Sequence, residues 1–309
     1  MLAPVPPGVA FFCLIFTGIT VPLYLCISGT IFLSRKLRSL PFFFLNAVLG
    51  IADVMAIFVI YVFQRLPLNG FFDFINEPSG LSRVFAETCN SGFTFVKLWQ
   101  NFITFLVAFS RFTTLAVPLT HSHFWTPYAA KFYATGGFIV STGLAVLPLF
   151  DGPAKYINYN ASVPEESMPT ACITLDSEGK PSPLWVANVI LTSGLTIGTG
   201  LVAAALNGFA VCLLIHKCPR FIGTTTGVTL HPWHSAEFKL SLIAAVHTSV
   251  LFLNGSVAAL ILLGVQSDWL NILGYMVVDV VCGIGPYIML AFSSEMRSEL
   301  RERVRRCWC

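Results

Sequence analysis

The sequence predicts an all-α membrane protein, a bundle of seven transmembrane helices with its N-terminus outside and its C-terminus in the cytoplasm. Hydrophobic residues make up 55% of the 309-residue chain and charged residues only 11%, a composition that a soluble domain of this size would not have. Seven apolar runs are each long enough to cross about 30 Å of hydrocarbon. Lysine and arginine are concentrated in alternate connecting segments, as expected for a protein with several spans.

Polar or basic residues bound each apolar run and mark its ends. The first run contains no charge and is followed at once by Arg35, Lys36 and Arg38. The fifth run exceeds the thickness of the bilayer, so we expect its helix to project beyond the membrane. The arginine- and glutamate-rich tail suits a short amphipathic helix. The predicted spans are residues 9–33, 41–63, 88–108, 132–149, 184–215, 240–265 and 269–292, followed by a basic cytoplasmic tail at 293–309.

The distribution of lysine and arginine sets the predicted orientation. Thirteen of the 18 basic residues fall in segments that we assign to the cytoplasm, and only four fall in segments that we assign to the outside. Asn160 begins an Asn-Ala-Ser sequence in the longest outer segment, which is an acceptor for glycosylation. Both observations place the N-terminus outside, and we expect a multi-pass protein of the plasma membrane.

Cysteine usage fits the same orientation. Of the nine cysteines, only two fall in predicted outer segments: Cys89 at the outer end of the third span and Cys172 in the long loop after the fourth. In an oxidising compartment these two thiols either form one disulfide or remain unpaired. Cys307 and Cys309 end the basic tail close to the membrane, which suits palmitoylation, although a reduced pair fits the sequence nearly as well.

Polar side chains within the spans are informative because each one costs free energy in hydrocarbon. A charged residue at the centre of a span costs about 2.5–3.5 kcal/mol on insertion scales, so such residues must face the interior of the bundle. The third span places Lys97, Asn101 and Thr104 at intervals of three or four, on one helical face. We expect Asp53 or Asp279 to neutralise Lys97, and this pair either positions the helices or takes part in binding a ligand.

Several short motifs in the chain resemble those of one receptor family. Arg65 begins the sequence Arg-Leu-Pro-Leu-Asn-Gly after the second span, and Arg111 ends the third span seven residues before Pro118. Asp279 lies seven residues before Pro286 in the last span. Over nearly the whole chain, this pattern resembles the nematode serpentine receptor class gamma (Srg) chemoreceptors, which are rhodopsin-like receptors with seven transmembrane helices.

The resemblance implies a G-protein-coupled chemosensory receptor in the membrane of sensory neurons. Receptors of this architecture bind a small molecule between the helices, in the outer half of the bundle. The candidate ligand-binding residues are Phe93, Lys97, Gln100, Asn101, His247, Asn254, Tyr275 and Asp279. Gln100 is the weakest candidate because it lies partly off the inward face of its helix. The expected partners are a small-molecule ligand, a heterotrimeric G protein and membrane lipid, with no cofactor, metal or nucleic acid.

The resemblance also implies a switch at the cytoplasmic end of the bundle. We expect an ion pair between Arg111, at the end of the third span, and Glu237, before the sixth, to hold the bundle closed. Alternatively, Glu237 only offsets Lys239 or the dipole at the start of its helix. The residues expected to take part in switching and coupling are Arg111, Pro118, Glu237 and Pro286.

Other classes of membrane protein are less compatible with the sequence. A transporter or channel would use Asp53, Lys97 and Asp279 as an ion path, but the chain has no inverted repeat and no matched pair of broken helices. An enzyme is not expected, because no HExxH, GxSxG or Walker-type motif occurs. Gly194 and Gly198 in the fifth span allow close helix packing, which we expect inside one monomer rather than in a homo- or heterodimer.

Overall fold

The computed structural model describes residues 6–66, 80–150, 154–157, 171–174, 182–221, 236–262 and 268–308. Within these ranges, seven long helices are followed by a helix in the tail. They are α1 (Pro7–Leu33), α2 (Pro41–Ile60), α3 (Gly80–Ala116), α4 (Pro127–Val146), α5 (Pro183–Phe221), α6 (Ala236–Leu262), α7 (Asp268–Phe292) and α8 (Ser294–Trp308). Shorter elements are the helices Arg35–Arg38 and Pro118–Phe124, the π turn Tyr61–Arg65 after α2 and the 3₁₀ turn Leu147–Phe150 after α4.

Proline and threonine begin several of the helices. Pro7, Pro41 and Pro127 occupy the first turn of α1, α2 and α4, where the missing N–H has no intrahelical partner to lose. Thr126 caps α4, because its side-chain oxygen accepts a 3.1 Å hydrogen bond from the backbone N–H of Ala129. This cap explains why α4 begins before residue 132, the start that its apolar run predicts.

The described helices have the length and composition of a membrane protein. Five of them contain a stretch that is long and apolar enough for a transmembrane span: α1, α2 with its π turn, α3, α5 and α7. Of the other two, α4 has 20 residues and α6 contains a described apolar stretch at Ser241–Val257. The architecture is an all-α bundle of seven membrane helices, as the sequence predicts.

The third helix lies at the centre of the bundle. In the most apolar stretches of α2 and α3, 67% of the residues are buried, against 28% in α1 and 22% in α5. α3 contacts α2, α4, α5 and α6, whereas α1 packs on α2 and α7. Contacts of α5 with α6 and of α6 with α7 close the ring. The outward faces of α1 and α5 carry exposed apolar side chains such as Phe11, Leu25 and Ile190, which is typical of helices that face lipid.

Two strands form a hairpin in the long connection between α4 and α5. Ala154–Ile157 (β1) pairs in antiparallel fashion with Ala171–Thr174 (β2), so that Tyr156 lies opposite Cys172. Both strands contact α3. The sequence predicts only a loop for this segment, because strands of four residues are too short to give a recognisable alternation of apolar and polar residues.

Close packing between α3 and α4 requires a glycine at position 137. A Cβ atom on Gly137 would lie 2.1 Å from Cδ1 of Phe102 and 2.9 Å from its Cγ, so the ring would have to move. We expect Gly137→Ala to lower the free energy of unfolding by about 1–3 kcal/mol, the usual cost of overpacking. Thermal unfolding of the purified protein in detergent measures this change.

The neighbouring Gly136 provides a matched control. A Cβ atom there would meet no described atom within 4 Å, and alanine favours a helix over glycine by up to about 1 kcal/mol. Gly136→Ala should therefore leave the protein at least as stable as the wild type. Equal destabilisation by the two alanine substitutions would show that the contact with Phe102 is not what requires glycine.

The small residues of α5 do not pack as predicted. Gly194 and Gly198 are exposed, and a Cβ atom on either would meet no described atom within 4 Å. The prediction of close packing inside the monomer at this pair is wrong, because the pair faces away from the other described helices. α5 instead approaches α6 at Gly200, where an added Cβ would lie 3.2 Å from the Cα of Phe252.

Candidate functional site

Buried polar side chains of α3 form the axis of the candidate site. They are Lys97, Gln100, Asn101 and Thr104, each no more than 4% exposed. Their spacing places them on the face of α3 that points into the bundle. A row of polar groups inside an apolar bundle costs free energy unless each group finds a partner. The contacts of these side chains therefore show which polar groups are already paired and which are left to bind another molecule.

Asp53 joins α1, α2 and α3 through two short hydrogen bonds. Its carboxylate accepts a bond of 2.5 Å from the hydroxyl of Tyr24 and one of 2.6 Å from the side-chain amide of Gln100. The tyrosine side chain fits a slot between Gly50 and Gly285, where an added Cβ would lie 2.8 Å and 2.4 Å from it. Gln100, the weakest ligand-binding candidate in the sequence analysis, thus links two helices of the core.

An ion pair between the π turn after α2 and α7 is buried in the same interior. The guanidinium of Arg65 donates a 2.7 Å hydrogen bond to the carboxylate of Asp279 and a 2.9 Å bond to the backbone carbonyl of Tyr275. It also lies 4.4 Å and 3.7 Å from the ring centroids of Tyr61 and Tyr275. Arg65 is 4% exposed and Asp279 is 3% exposed, so each charge depends on the other for compensation.

The sequence predicts that Arg65 lies in an outer loop and that Asp279 is one possible partner of Lys97. That pairing is wrong, because α2 does not end where its apolar run ends. The π turn Tyr61–Arg65 continues the helix and brings Arg65 to α7. π turns are frequent at functional sites. The sequence signal for this one is weak: no helix-breaking residue occurs between Ile60 and Pro67, so a helix is free to continue.

Lys97 has no acceptor for the N–H groups of its ammonium among the described residues. Its Nζ atom lies 5.7 Å from the centroid of the Phe93 ring. Asp53 is near enough to attract the ammonium, but the two oxygens of that carboxylate accept from Tyr24 and Gln100 instead. The described contacts therefore contain no ion pair between Lys97 and Asp53, the other pairing that the sequence predicts.

The inward face of α3 also meets α5, and α5 is in turn linked to α6. The amide of Asn101 donates a 2.8 Å hydrogen bond to Thr196, and the amide of Asn207 donates a 3.0 Å bond to Thr248. In the row from Lys97 to Thr104, three buried oxygens have no hydrogen-bond partner among the described residues: Gln100 Oε1, Asn101 Oδ1 and Thr104 Oγ1. Together with the Lys97 ammonium, they leave unused hydrogen-bonding capacity along about two turns of the helix.

A small cavity of about 20 Å³ lies at the Thr104 end of this row. Asp53 and His247 line it from α2 and α6, and Pro286 lines it from α7. This volume is large enough for a water molecule but not for a larger ligand. The cavity therefore continues the polar axis past Thr104 without being the ligand site itself.

The remaining predicted ligand-binding residues fall into separate groups around the axis. Phe93 is 37% exposed and lies one turn from the lysine of α3. His247 is buried at the cavity, and Asn254 is buried about two turns further along α6. Tyr275 and Asp279 contact Arg65 between α2 and α7. Together with Tyr61 they form the arginine cluster. The structure thus divides the predicted site into the α3 row, the cavity and the arginine cluster.

The other end of α3 carries Arg111. Its guanidinium is buried and lies 4.1 Å from the ring centroid of Phe42 on α2. Glu237 belongs to the first turn of α6, but the contacts of its side chain lie outside the described residues. α3 and α6 touch each other, and the ion pair between Arg111 and Glu237 stays a prediction.

A short helix next to Arg111 is braced against α3. Pro118 begins this helix, Pro118–Phe124. The indole N–H of Trp125 donates a 2.8 Å hydrogen bond to the hydroxyl of Thr113, and a ring nitrogen of His121 lies 3.0 Å from the same oxygen. Leu119 is 90% exposed, so the brace holds an apolar side chain at the surface.

The end of α7 is joined firmly to the tail helix. Pro286 lies inside α7, and the side chain of Arg297 donates hydrogen bonds of 2.7 Å and 2.6 Å to the carbonyls of Leu290 and Ala291. The helix α8 accounts for 15 residues of the predicted tail. Cys307 lies in its last turn, while Cys309 lies outside the described residues.

The two predicted outer cysteines lie on elements that are in contact. Cys89 is buried in α3, and Cys172 lies in β2, a strand that packs against α3. The side chain of Cys172 lies outside the described residues, so the disulfide stays a prediction. Asn160, the predicted glycosylation site, also lies outside them.

Comparison with known families supports the interpretation of the bundle. A family model for the Srg family chemoreceptors matches residues 9–173, which is more than half of the chain. The match runs from α1 to β2 and includes Asp53, Arg65 and the polar row of α3. No curated protein matches the chain significantly.

Proposed function

The chain belongs to the Srg family of chemoreceptors, and from this premise we propose that it is a G-protein-coupled receptor that binds a small-molecule cue within its helix bundle. The observation that carries this proposal is the row of buried polar atoms on α3, from Lys97 to Thr104, that have no hydrogen-bond partner in the described part of the chain. A buried polar group that lacks a hydrogen bond costs roughly 1–3 kcal/mol. A ligand that supplies the missing partners recovers this free energy, so the row favours binding.

Signalling then consists of an opening at the cytoplasmic end of the bundle. In the closed state, Arg111 of α3 pairs with Glu237 of α6, and outward movement of α6 exposes the arginine to a heterotrimeric G protein. The burial of Arg111 and the contact between α3 and α6 support this proposal. The braced helix that begins at Pro118 presents Leu119 beside this site, which suits a contact with the G protein. Pro286 weakens α7 near the same end, since proline removes a helix hydrogen bond.

We assign the N-terminus to the outside and the tail to the cytoplasm of a sensory neuron, in its plasma membrane. The excess of basic residues on one side supports this orientation. With it, a disulfide between Cys89 and Cys172 would tie the β hairpin to α3, and Asn160 would carry a glycan. Cys307 and Cys309 would carry palmitoyl groups at the membrane surface.

The transporter alternative has less support from the contacts. An ion path through Asp53 and Asp279 needs carboxylates that are available to a passing ion. Asp279 is instead held by Arg65, and Asp53 is held by Tyr24 and Gln100. The carboxylates of Asp53 and Asp279 therefore hold helices together in this structure. A ligand-operated receptor accounts for the polar atoms of the α3 row that have no partner among the described residues.

A cell-based reporter for G-protein activation tests the proposed function. Cells that express the receptor should respond to fractions of secreted small molecules, and untransfected cells should not. Asn101→Leu removes a buried amide with which the ligand can form a hydrogen bond. We therefore expect the ligand concentration that gives a half-maximal reporter response to rise about tenfold. Surface labelling of the receptor confirms that both forms reach the membrane.

Ser249→Ala is the matched control for loss of a polar side chain. Ser249 is exposed, and its hydroxyl donates a hydrogen bond to the Ala245 carbonyl of its own helix. This variant should respond like the wild type. A response curve for Asn101→Leu that coincides with that of Ser249→Ala would remove Asn101 from the site. The absence of a response to any fraction would count against receptor function.

A further inference from the structure

The buried charges of the bundle do not all have a partner. Five charged side chains are buried among the described residues: Asp53, Arg65, Lys97, Arg111 and Asp279. The arginine–aspartate pair between α2 and α7 compensates itself at 2.7 Å. At the other end of the bundle, Arg111 is about 21 Å from Lys97 along α3, at 1.5 Å per residue. The charge of Lys97 therefore has to be compensated by groups in its own surroundings.

Near Lys97, the carboxylate of Asp53 is already hydrogen-bonded to two other side chains. The carboxylate of Asp53 accepts from Tyr24 and Gln100 at 2.5 Å and 2.6 Å, and its attraction for the lysine acts only through space. Lys97 is 4% exposed, and its buried ammonium donates no hydrogen bond to a described residue. An ammonium at such a position requires a hydrogen-bonded anion or several polar acceptors, because burial of an unsolvated charge is expensive.

We propose that the ligand carries a carboxylate that binds the ammonium of Lys97. This inference rests on the proposed function and specifies the chemical class of the cue. A carboxylate adds one negative charge to an interior that already contains Asp53, whereas a phosphate dianion would add two. The carboxylate supplies charge-assisted acceptors for the ammonium N–H groups, which have no acceptor among the described residues. The ring of Phe93, 5.7 Å from Nζ, provides an apolar wall on one side.

The second group of the ligand is specified by the next turn of α3. Gln100 Oε1 and Asn101 Oδ1 are buried amide oxygens for which the described residues supply no donor, and an amide oxygen can only accept hydrogen bonds. A ligand hydroxyl, about one helical turn from the carboxylate, satisfies one of these oxygens. The site therefore takes a hydroxycarboxylic acid, with its carboxylate on the lysine and its hydroxyl on an amide oxygen.

Thermal unfolding of the purified full-length receptor in lipid nanodiscs tests this assignment without a signalling readout. The probes are short straight-chain hydroxycarboxylic acids, each paired with its uncharged primary amide. At least one acid should raise the unfolding temperature of the wild type, and its amide should not, since the amide cannot neutralise Lys97. Lys97→Gln should lose about tenfold to hundredfold in affinity for that acid, whereas Lys97→Arg should keep most of the effect.

Lys131→Gln is the matched control for loss of a lysine, because Lys131 is exposed on α4. It should bind the acid like the wild type. If Lys97→Gln does not fold, the comparison of acid with amide on the wild type and on Lys97→Arg decides the question. Equal stabilisation by an acid and its amide, an undiminished effect in Lys97→Gln, or no stabilisation by any acid of the series would overturn the proposal. An uncharged compound that activates the reporter would also overturn the carboxylate proposal. It would still support the proposed receptor function.

Discussion

Replacing Asp279 by asparagine is expected to destabilise the receptor by about 3–5 kcal/mol, because the change removes the carboxylate that pairs with the buried guanidinium of Arg65. The two side chains are only 5% and 3% exposed and meet at 2.7 Å, so water cannot replace the lost partner. The free energy of unfolding of the purified protein in detergent measures this effect directly. A loss of this size should also reduce the amount of receptor at the cell surface.

The chain offers a matched control in an exposed ion pair. Arg83 and Glu87 meet at 2.6 Å on α3, with side chains that are 59% and 24% exposed. Glu87→Gln should cost no more than about 1 kcal/mol, the usual value for a pair in contact with water. Equal effects of Asp279→Asn and Glu87→Gln would contradict a buried, mutually dependent pair in the interior.

A charge exchange identifies the partner of Asp279. The double variant Arg65→Asp with Asp279→Arg keeps both charges in the same region and should recover part of the stability that each single variant loses. Exchange of Lys97 with Asp279 should give no such recovery, because these two residues are not paired in the structure. Recovery in the second exchange rather than the first would assign Asp279 to Lys97.

Replacing Arg111 by alanine is expected to abolish G-protein activation while ligand binding stays intact. Arg111 lies about 21 Å along α3 from Lys97, too far to touch a ligand there. Its proposed role is to contact the G protein once α6 moves away. Ligand-induced stabilisation of the purified variant, measured beside its activity in the cell-based reporter, separates binding from coupling. Loss of both would assign Arg111 to the packing of the bundle instead.

Glu237→Gln should have the opposite effect on the resting receptor. A partly exposed pair contributes about 0–1 kcal/mol and a better shielded charge-assisted bond about 1.5–3 kcal/mol. Loss of a shielded pair would shift the equilibrium between closed and open bundles roughly tenfold to a hundredfold. Basal signalling per receptor at the surface should rise accordingly. Unchanged basal activity in a well-expressed variant would leave Glu237 with a local role beside Lys239.

The sequence predicted the helices more completely than the contacts between them. Seven apolar runs are a strong signal, since a span of about 20 residues leaves few alternatives. The spacing of Lys97 and Asn101 likewise predicted which face of α3 points inward. Their partners depend on the depth and rotation of neighbouring helices, which the period of one helix does not define. Tyr24 and Thr196 therefore carried no recognisable signal.

The largest error concerned the end of α2. A charged residue after an apolar run usually marks the membrane surface, and Arg65 was placed there for that reason. Its aliphatic chain and two aromatic neighbours allow it to remain inside, and the π turn provides the rotation that a regular helix would not. Backbone irregularities of this kind arise from tertiary packing, so hydropathy alone does not reveal them.

Guanine-nucleotide exchange on a purified heterotrimeric G protein, with the receptor in lipid nanodiscs, tests receptor function most directly. A fraction of secreted small molecules that stabilises the receptor should accelerate exchange with the wild type, and the same fraction should have no effect with Arg111→Ala. Exchange that is indifferent to both the receptor and the stabilising fraction, together with solute uptake by liposomes that contain the protein, would contradict the assignment and indicate a transporter.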